Sequence, residues 1–123
     1  MAGFKEVSSE ALFRVDGDSA LVTGAGGGLG RIAAIALAGA GAHVAVTDID
    51  AAAAGRVAAE IRDAGGTAES WRLDVADRKR IDTVIDEAAE RFGGLHILIN
   101  NAGIIRPGAA ESFPDADWDE WSR

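Results

Sequence analysis

A glycine-rich stretch, "LVTGAGGGLGR" at residues 21–31, is the part of the sequence best suited to hold a phosphate group. An apolar run precedes its five glycines and a helical pattern follows them. A strand–loop–helix unit of this kind directs backbone N–H groups and the positive end of a helix toward one point. The common G-x-G-x-x-G pattern fits from neither Gly24 nor Gly26, and no glycine–lysine–Ser/Thr run marks a P-loop. The pattern T-G-x-x-x-G-x-G, from Thr23 to Gly30, does fit; it predicts a pyrophosphate site, with an ordinary glycine-rich turn as the alternative.

A carboxylate follows the second predicted strand. Asp48 lies 18 residues after Gly30, where a carboxylate of a doubly wound fold accepts hydrogen bonds from the adenosine ribose hydroxyls. The same charge would repel a 2′-phosphate, and no Arg or Lys within residues 25–28 offsets it. The sequence therefore predicts NAD rather than NADP. The alternative is a helix-capping role for Asp48, but we assign that role to Asp50.

Two more groups at predicted strand ends could complete a nucleotide site. Asp74 could accept a hydrogen bond from the adenine amino group, with Val75 beside the ring; a strand-end turn is the alternative. After the fourth predicted strand comes "NNAG" at residues 100–103. Its small residues let the backbone approach a ligand, and its asparagine amides can tie neighbouring strand ends together. A plain turn is the alternative there.

Other kinds of chemistry find little support in the residue types. The chain has no cysteine, which excludes disulfides and a thiol nucleophile. His43 and His96 have no third ligand at readable spacing, so no metal site is expected. The serines have no histidine partner at triad spacing. The three tryptophans lack the basic surroundings that nucleic-acid binding needs.

Composition sets the class of protein. The 123 residues are 48% hydrophobic and 26% charged, as expected of one globular domain. The net charge of −8 argues against a nucleic-acid interface. No apolar run approaches the roughly 18 residues that span a membrane, and the N-terminus lacks a signal-peptide core. A cytoplasmic protein is expected.

The elements that must position these residues alternate between strand and helix. An N-terminal arm at 1–17 precedes a dinucleotide-binding domain at 18–123. Strands separated by helical crossovers predict an α/β protein, a partial doubly wound Rossmann fold whose parallel sheet has the order 3-2-1-4. The predicted strands are 19–23, 43–47, 67–75 and 95–100; the predicted helices are 29–40, 51–64, 77–92 and the beginning of one at 115–123. Asp77 is expected to cap the third of these helices, as Asp50 caps the second.

Apolar residues at helical spacing predict the face by which each helix packs on the sheet. In the first helix they are Ile32, Ile35, Ala36 and Gly39; in the second Ala54, Val57, Ala58 and Ile61; in the third Ile81, Val84, Ile85, Ala88 and Phe92.

Together, "TGAGGGLG", Asp48, "LDV" and "NNAG" resemble the short-chain dehydrogenase/reductase family, from about Leu12 to the end of the chain. "NNAGIIR" and "FPDADWDEW" look most like members that act on sugar acids such as gluconate or deoxygluconate. The resemblance implies a cofactor loop, with Asp48 selecting NAD, an adenine border and a segment along the cofactor. The implied cofactor-binding residues are Gly24, Gly26, Gly27, Gly28, Leu29, Gly30, Asp48, Asp74, Val75, Asn101, Ala102 and Gly103.

The catalytic half of the family pattern is absent from these residues. Members use a Tyr-x-x-x-Lys pair on a later helix and a serine after a fifth strand, whereas this chain has no tyrosine. Its two lysines, Lys5 and Lys79, do not lie where the catalytic lysine would. The resemblance thus implies the cofactor-binding N-terminal portion of an NAD(P)-dependent dehydrogenase that does not catalyse alone. A stand-alone dinucleotide sensor or a split-enzyme subunit is the alternative, and self-association or a partner chain is expected to cover the exposed edge of the fourth strand.

Overall fold

Four parallel strands form the centre of the computed structural model, which describes residues 14–101. The strand order is β3-β2-β1-β4, which confirms the predicted α/β class and the order 3-2-1-4. The elements are β1 Ser19–Thr23, α1 Gly28–Gly39, β2 His43–Asp48, α2 Ala51–Asp63, β3 Thr67–Arg72, α3 Arg78–Phe92 and β4 Ile97–Asn100.

The position of β1 decides where a ligand can bind. It pairs with β2 on one side and with β4 on the other, so the direction of winding reverses there. In open parallel sheets ligands bind beyond the carboxyl ends of the strands at such a switch point. The glycine loop follows β1 directly, and the loops after the other strands open at the same edge.

Helices pack on both faces of the sheet. Val22, Val44 and Val46 pack with α1 and α2 in one core cluster. Leu21 and Ala45 face the opposite way and pack with α3 in a second cluster. The middles of β1 and β2 are buried on both faces, and their sequences are accordingly short apolar runs rather than alternating patterns.

Two helices begin with the aspartate caps that the sequence predicted. Asp50 accepts a hydrogen bond from the Ala53 N–H at 3.1 Å, and Asp77 accepts one from the Arg80 N–H at 3.1 Å. The buried faces of α2 and α3 are also those predicted, since Val57 and Ile61 on α2 and Val84 on α3 lie in the core. Helix α3 ends at Gly93, whose φ of +80° is the left-handed conformation that glycine adopts without strain.

The predicted face of α1 was wrong for three of its four residues; the fourth, Ile35, packs against the first core cluster. Ile32 is 59% exposed, and Ala36 and Gly39 are exposed as well. The residues of α1 that are buried are Gly30 and Ala34. Gly30 lies directly against the glycine loop. Because this contact fixes the rotation of the helix about its axis, Gly30 and Ala34 face inward and Ile32 faces outward.

Smaller corrections concern element ends. β3 ends at Arg72, not at residue 75, because the chain turns: the Asp74 carboxylate accepts the Ala76 N–H and the Asp74 carbonyl accepts the Asp77 N–H. β4 begins at Ile97, two residues later than predicted. The helix predicted at 115–123 lies outside the described residues.

Part of the predicted arm contacts the rest of the fold. Within residues 14–17, the Val15 N–H donates to the Ala40 carbonyl and the Val15 side chain packs on the first core cluster. The boundary predicted at residue 17 stays a prediction. Among residues 14–101 no helix is both long and apolar enough to cross a membrane.

Candidate nucleotide-binding site

The glycine loop has a backbone path that needs glycine at two places. Gly24 has a φ of +61° and Gly28 a φ of +56°, in the left-handed region that costs other residues about 1–2 kcal/mol. These two turns carry the chain from the buried end of β1 into α1. The spacing of the motif therefore reflects two positions with left-handed backbone, Gly24 and Gly28, and one close contact, which Gly30 makes.

The close contact is made by Gly30 in the first turn of α1. A Cβ built at Gly30 would lie 2.1 Å from the Gly24 carbonyl oxygen and 2.9 Å from Nδ2 of Asn101. No side chain fits between these atoms. The helix thus begins directly on the loop, and its positive end lies at the carboxyl edge of the sheet.

The start of α1 differs from the starts of α2 and α3 because no side chain caps it. Gly27 is the N-cap and makes no side-chain hydrogen bond, and the first turn contains no acidic residue. The first N–H groups of a helix have no partner within the helix. A Cβ at Gly27 or Gly28 would meet nothing within 4 Å, so the loop is open on this side. A phosphate placed there could accept those N–H groups.

Asp48 ends β2 with its carboxylate beside the glycine loop. Oδ2 accepts the Gly26 N–H at 3.0 Å, and Oδ1 accepts the Asp50 N–H at 2.9 Å. The side chain is half-buried. Each carboxylate oxygen can accept a further hydrogen bond, which is what a ribose diol would require.

Asp74 and Val75 lie one strand further along the same edge. The Leu73 N–H donates to the Asp48 carbonyl at 2.9 Å, which brings the turn after β3 next to Asp48. Oδ1 of Asp74 accepts the Ala76 N–H at 3.0 Å. The strand-end turn, which the sequence offered as the alternative to adenine binding, is therefore present. The hydrogen bonds described within residues 14–101 do not use Oδ2 of Asp74, which leaves this oxygen available to a ligand. Val75 packs against the second core cluster.

Asparagines tie β4 to the end of β1, as predicted for their amides. Oδ1 of Asn100 accepts the Thr23 hydroxyl at 2.9 Å. The Asn101 N–H donates to the same hydroxyl oxygen at 2.9 Å, and its Nδ2 donates to the Gly24 carbonyl at 3.3 Å. Asn101 is thus part of the support for the loop. Ala102 and Gly103 lie outside the described residues, and Leu29 is 75% exposed in the first turn of α1.

Sequence reasoning named Thr23 only as the first residue of the glycine pattern and missed Thr47, although both threonines support the loop through hydrogen bonds. The Thr47 hydroxyl donates to the Val22 carbonyl at 2.8 Å, and the Ala25 N–H donates to the Thr47 carbonyl at 2.8 Å. Thr23 bridges to β4 as described. The signal available was a threonine at the end of each of two apolar strands, since a buried hydroxyl requires a partner.

The remaining polar candidates have structural partners. The His43 ring lies 5.7 Å from the Phe92 ring, and Nδ1 of His96 accepts the Ser19 N–H at 3.0 Å. Trp71 donates its indole N–H to Glu87 at 2.9 Å. Across residues 14–101, no three His, Asp or Glu side chains lie together in a way that could hold a metal ion.

Known proteins are similar to this chain both in sequence and in fold. The family model for the short chain dehydrogenases matches residues 18–122. The chain belongs to this family. D-threitol dehydrogenase of Mycolicibacterium smegmatis is 39% identical over 119 residues, which cover 97% of this chain and 46% of that protein. The 7α-hydroxysteroid dehydrogenase of Escherichia coli K12 is 44% identical over 90 residues, 73% of this chain and 35% of that protein.

Solved structures of short chain dehydrogenases have the same fold. A 7α-hydroxysteroid dehydrogenase complexed with NADH and 7-oxo glycochenodeoxycholic acid matches with a TM-score of 0.79 at 40% identity, over 93% of this chain and 44% of that one. The chain spans less than half the length of each of these three relatives. The family predicted from the motifs is confirmed. The likeness to enzymes of sugar acids stays a prediction, since much of it falls on residues after 101.

Proposed function

We propose that this chain is the cofactor-binding N-terminal part of an NAD-dependent short chain dehydrogenase, an oxidoreductase acting on a CH–OH group. The observation that carries the proposal is the Asp48 carboxylate, which accepts the Gly26 N–H at 3.0 Å beside the uncapped start of α1. A pyrophosphate on that helix start and a ribose on Asp48 would be adjacent. The NADH bound by the 7α-hydroxysteroid dehydrogenase described above supports this assignment.

Charge supports NAD over NADP. A 2′-phosphate on the ribose would lie against the Asp48 carboxylate, and residues 25–28 contain no Arg or Lys to offset the repulsion. Arg31, the basic residue next along α1, is engaged in an ion pair with Glu60 on α2. Because Glu60 offsets the charge of Arg31, Asp48 is the group that makes the electrostatic potential negative at the proposed ribose position.

The hydride-transfer machinery of the complete enzyme would come from residues outside these 123. The chain has no tyrosine, and Lys79 is exposed near the start of α3. Reading the genomic sequence past the Arg123 codon tests this step. An in-frame serine and Tyr-x-x-x-Lys downstream would support it; their absence would favour a stand-alone dinucleotide sensor or a split enzyme.

Calorimetric titration of the chain with NAD and with NADP tests the cofactor assignment. We expect tighter binding of NAD, because Asp48 accepts from its ribose and repels the 2′-phosphate of NADP. Asp48→Ala should weaken NAD binding by about tenfold or more, the effect of losing hydrogen bonds to a charged group, and should narrow the NAD/NADP ratio.

Asp63→Ala provides the matched control, because Asp63 is an exposed carboxylate at the far end of α2 and its removal changes the net charge equally. It should leave both affinities unchanged. If the folded chain gives no heat with NAD, the proposal fails. If Asp48→Ala keeps the wild-type NAD/NADP ratio, the role of Asp48 is wrong.

A further inference from the structure

The second glycine of the loop, Gly26, is held between two side chains. A Cβ built on it would lie 2.7 Å from Cβ of Ala53, 2.9 Å from Oδ2 of Asp48 and 3.0 Å from Cγ of Asp48. Its φ is not positive, unlike those of Gly24 and Gly28. Glycine is therefore required at this position for space and not for backbone conformation.

The same residue also makes a bond that a side chain would disturb. The Gly26 N–H donates to Oδ2 of Asp48 at 3.0 Å, while the Asp50 N–H donates to Oδ1 at 2.9 Å. Two backbone donors from different loops thus fix the rotation of one carboxylate. A displacement of either donor would weaken the hold on the carboxylate.

We propose that Gly26 is a positioning residue that fixes the Asp48 carboxylate and thereby sets the preference for NAD over NADP. The inference rests on the proposed function, since it concerns how that cofactor site discriminates. It assigns to Gly26 a role toward Asp48, in addition to any contact that its backbone makes with the cofactor.

Packing indicates which neighbour would yield to a side chain at residue 26. Ala53 is 8% exposed, in the first turn of α2. That helix is anchored in the core by Val57 and Ile61, which are both 3% exposed. A half-buried carboxylate at a strand end rotates far more readily than a helix packed in this way moves. Asp48 would therefore turn away, carrying its negative charge from the ribose position.

Gly26→Ala in the full chain tests the proposal by calorimetry with NAD and NADP. NAD affinity should fall by about tenfold, comparable to the loss of a hydrogen bond to a charged group, while NADP affinity changes less. The ratio of the two affinities is the informative readout, because a general loss of structure would lower the affinity for NAD and the affinity for NADP alike. An unchanged ratio overturns the inference.

Ala53→Gly in the Gly26→Ala background separates the two contacts. It removes the 2.7 Å contact with Ala53 and leaves those with Asp48, so it should restore folding where Gly26→Ala alone impairs it. We expect the altered NAD/NADP ratio to persist in this double variant. Recovery of the wild-type ratio would show that Gly26 acts through packing on α2, and would overturn the inference.

A double-mutant cycle with Asp48→Ala provides the second arm. If Gly26 acts through Asp48, Gly26→Ala should have little further effect on the ratio once the carboxylate is gone; additive effects would contradict the inference. Failure of the wild-type chain to bind NAD would instead remove the proposed function. If the wild-type chain prefers NAD and the Gly26→Ala variant shows the same preference, the role proposed for Gly26 is wrong and the proposed function stands.

Discussion

At the scale of single residues, the glycines of the loop have different physical reasons to be glycine. Gly24 and Gly28 adopt positive φ angles. Gly30 allows a backbone contact that no Cβ permits, whereas Gly27 is extended and has open space around the Cβ position. One motif therefore contains positions that differ widely in their tolerance of substitution.

Gly30→Ala should destabilise the fold by about 1–3 kcal/mol, because the added methyl group overpacks a rigid backbone contact. Gly27→Ala is the matched control in the same loop. It should cost less than about 1 kcal/mol, the difference between glycine and alanine at an N-cap. Urea denaturation followed by circular dichroism measures both values. Equal losses would contradict the contact between Gly30 and the Gly24 carbonyl.

The sequence predicted several residues that the structure brings together at the carboxyl edge of the sheet, but it did not predict the hydrogen bonds between them. The spacing of the glycines and the position of Asp48 indicated a nucleotide loop and an acceptor beside it. The pairing of Asp48 with Gly26 could not be predicted, because it depends on the distance between two loops 22 residues apart. The hydroxyl of Thr23 was missed for the same reason, since its partners lie on β4.

At the scale of elements, caps explain why α2 and α3 begin where they do. Asp50 and Asp77 each follow an extended segment and accept an N–H three residues later. Both caps were predicted because the chemistry is local in sequence. α1 has no such cap, and this difference leaves its first N–H groups available to a ligand.

Asp50→Ala should lower the free energy of unfolding by about 1 kcal/mol, the usual contribution of an N-cap. Asp50→Asn keeps an oxygen that can accept the Ala53 N–H, so its cost should be within a few tenths of a kcal/mol. Chemical denaturation of the two variants provides the comparison. If both variants lose the same stability, the charge of Asp50 matters and its capping bond does not.

The buried face of a helix was predictable only where side chains determine it. On α2 and α3, apolar residues recur at helical spacing and turn inward. On α1 the deciding contact is made by Gly30, a residue without a side chain that carries no apolar signal. Hydrophobic periodicity therefore favoured Ile32, which the structure exposes.

At the scale of the whole molecule, the described sheet has an apolar side chain near its edge. Within residues 14–101, β4 pairs with β1 and with no other strand. Leu98 of β4 is 57% exposed on the face opposite the first core cluster. We propose that, when these 123 residues are produced alone, a second copy or a partner chain covers this edge, since unpaired strand edges promote association.

Leu98→Lys should reduce self-association of the 123-residue chain, because a charge on an edge strand opposes edge-to-edge pairing. Sedimentation velocity over a range of protein concentrations measures the effect. Ile49→Lys is the matched control: Ile49 is also 57% exposed but lies in the loop after β2. If both substitutions change association equally, general hydrophobicity and not the β4 edge is responsible.

Topology was the most predictable level of all. Alternating strands and helices, together with the right-handed crossover rule, leave few arrangements for a parallel sheet, and the order 3-2-1-4 was among them. The family could be identified because four separate motifs occur in the expected order. The finer substrate class rests on residues 100–106 and 113–121, most of which lie outside the described residues.

The hydrogen bonds of Thr23 also imply an order of events in time. The Asn101 N–H reaches the Thr23 hydroxyl across 78 residues of sequence. Closing so long a loop is slow compared with forming a helix or a turn. During synthesis, the glycine loop emerges early but gains its support from β4 only after nearly all of the described chain has left the ribosome. The glycine loop is therefore one of the first parts of this fold to be made, and its contacts with β4 are among the last of its hydrogen bonds that can form.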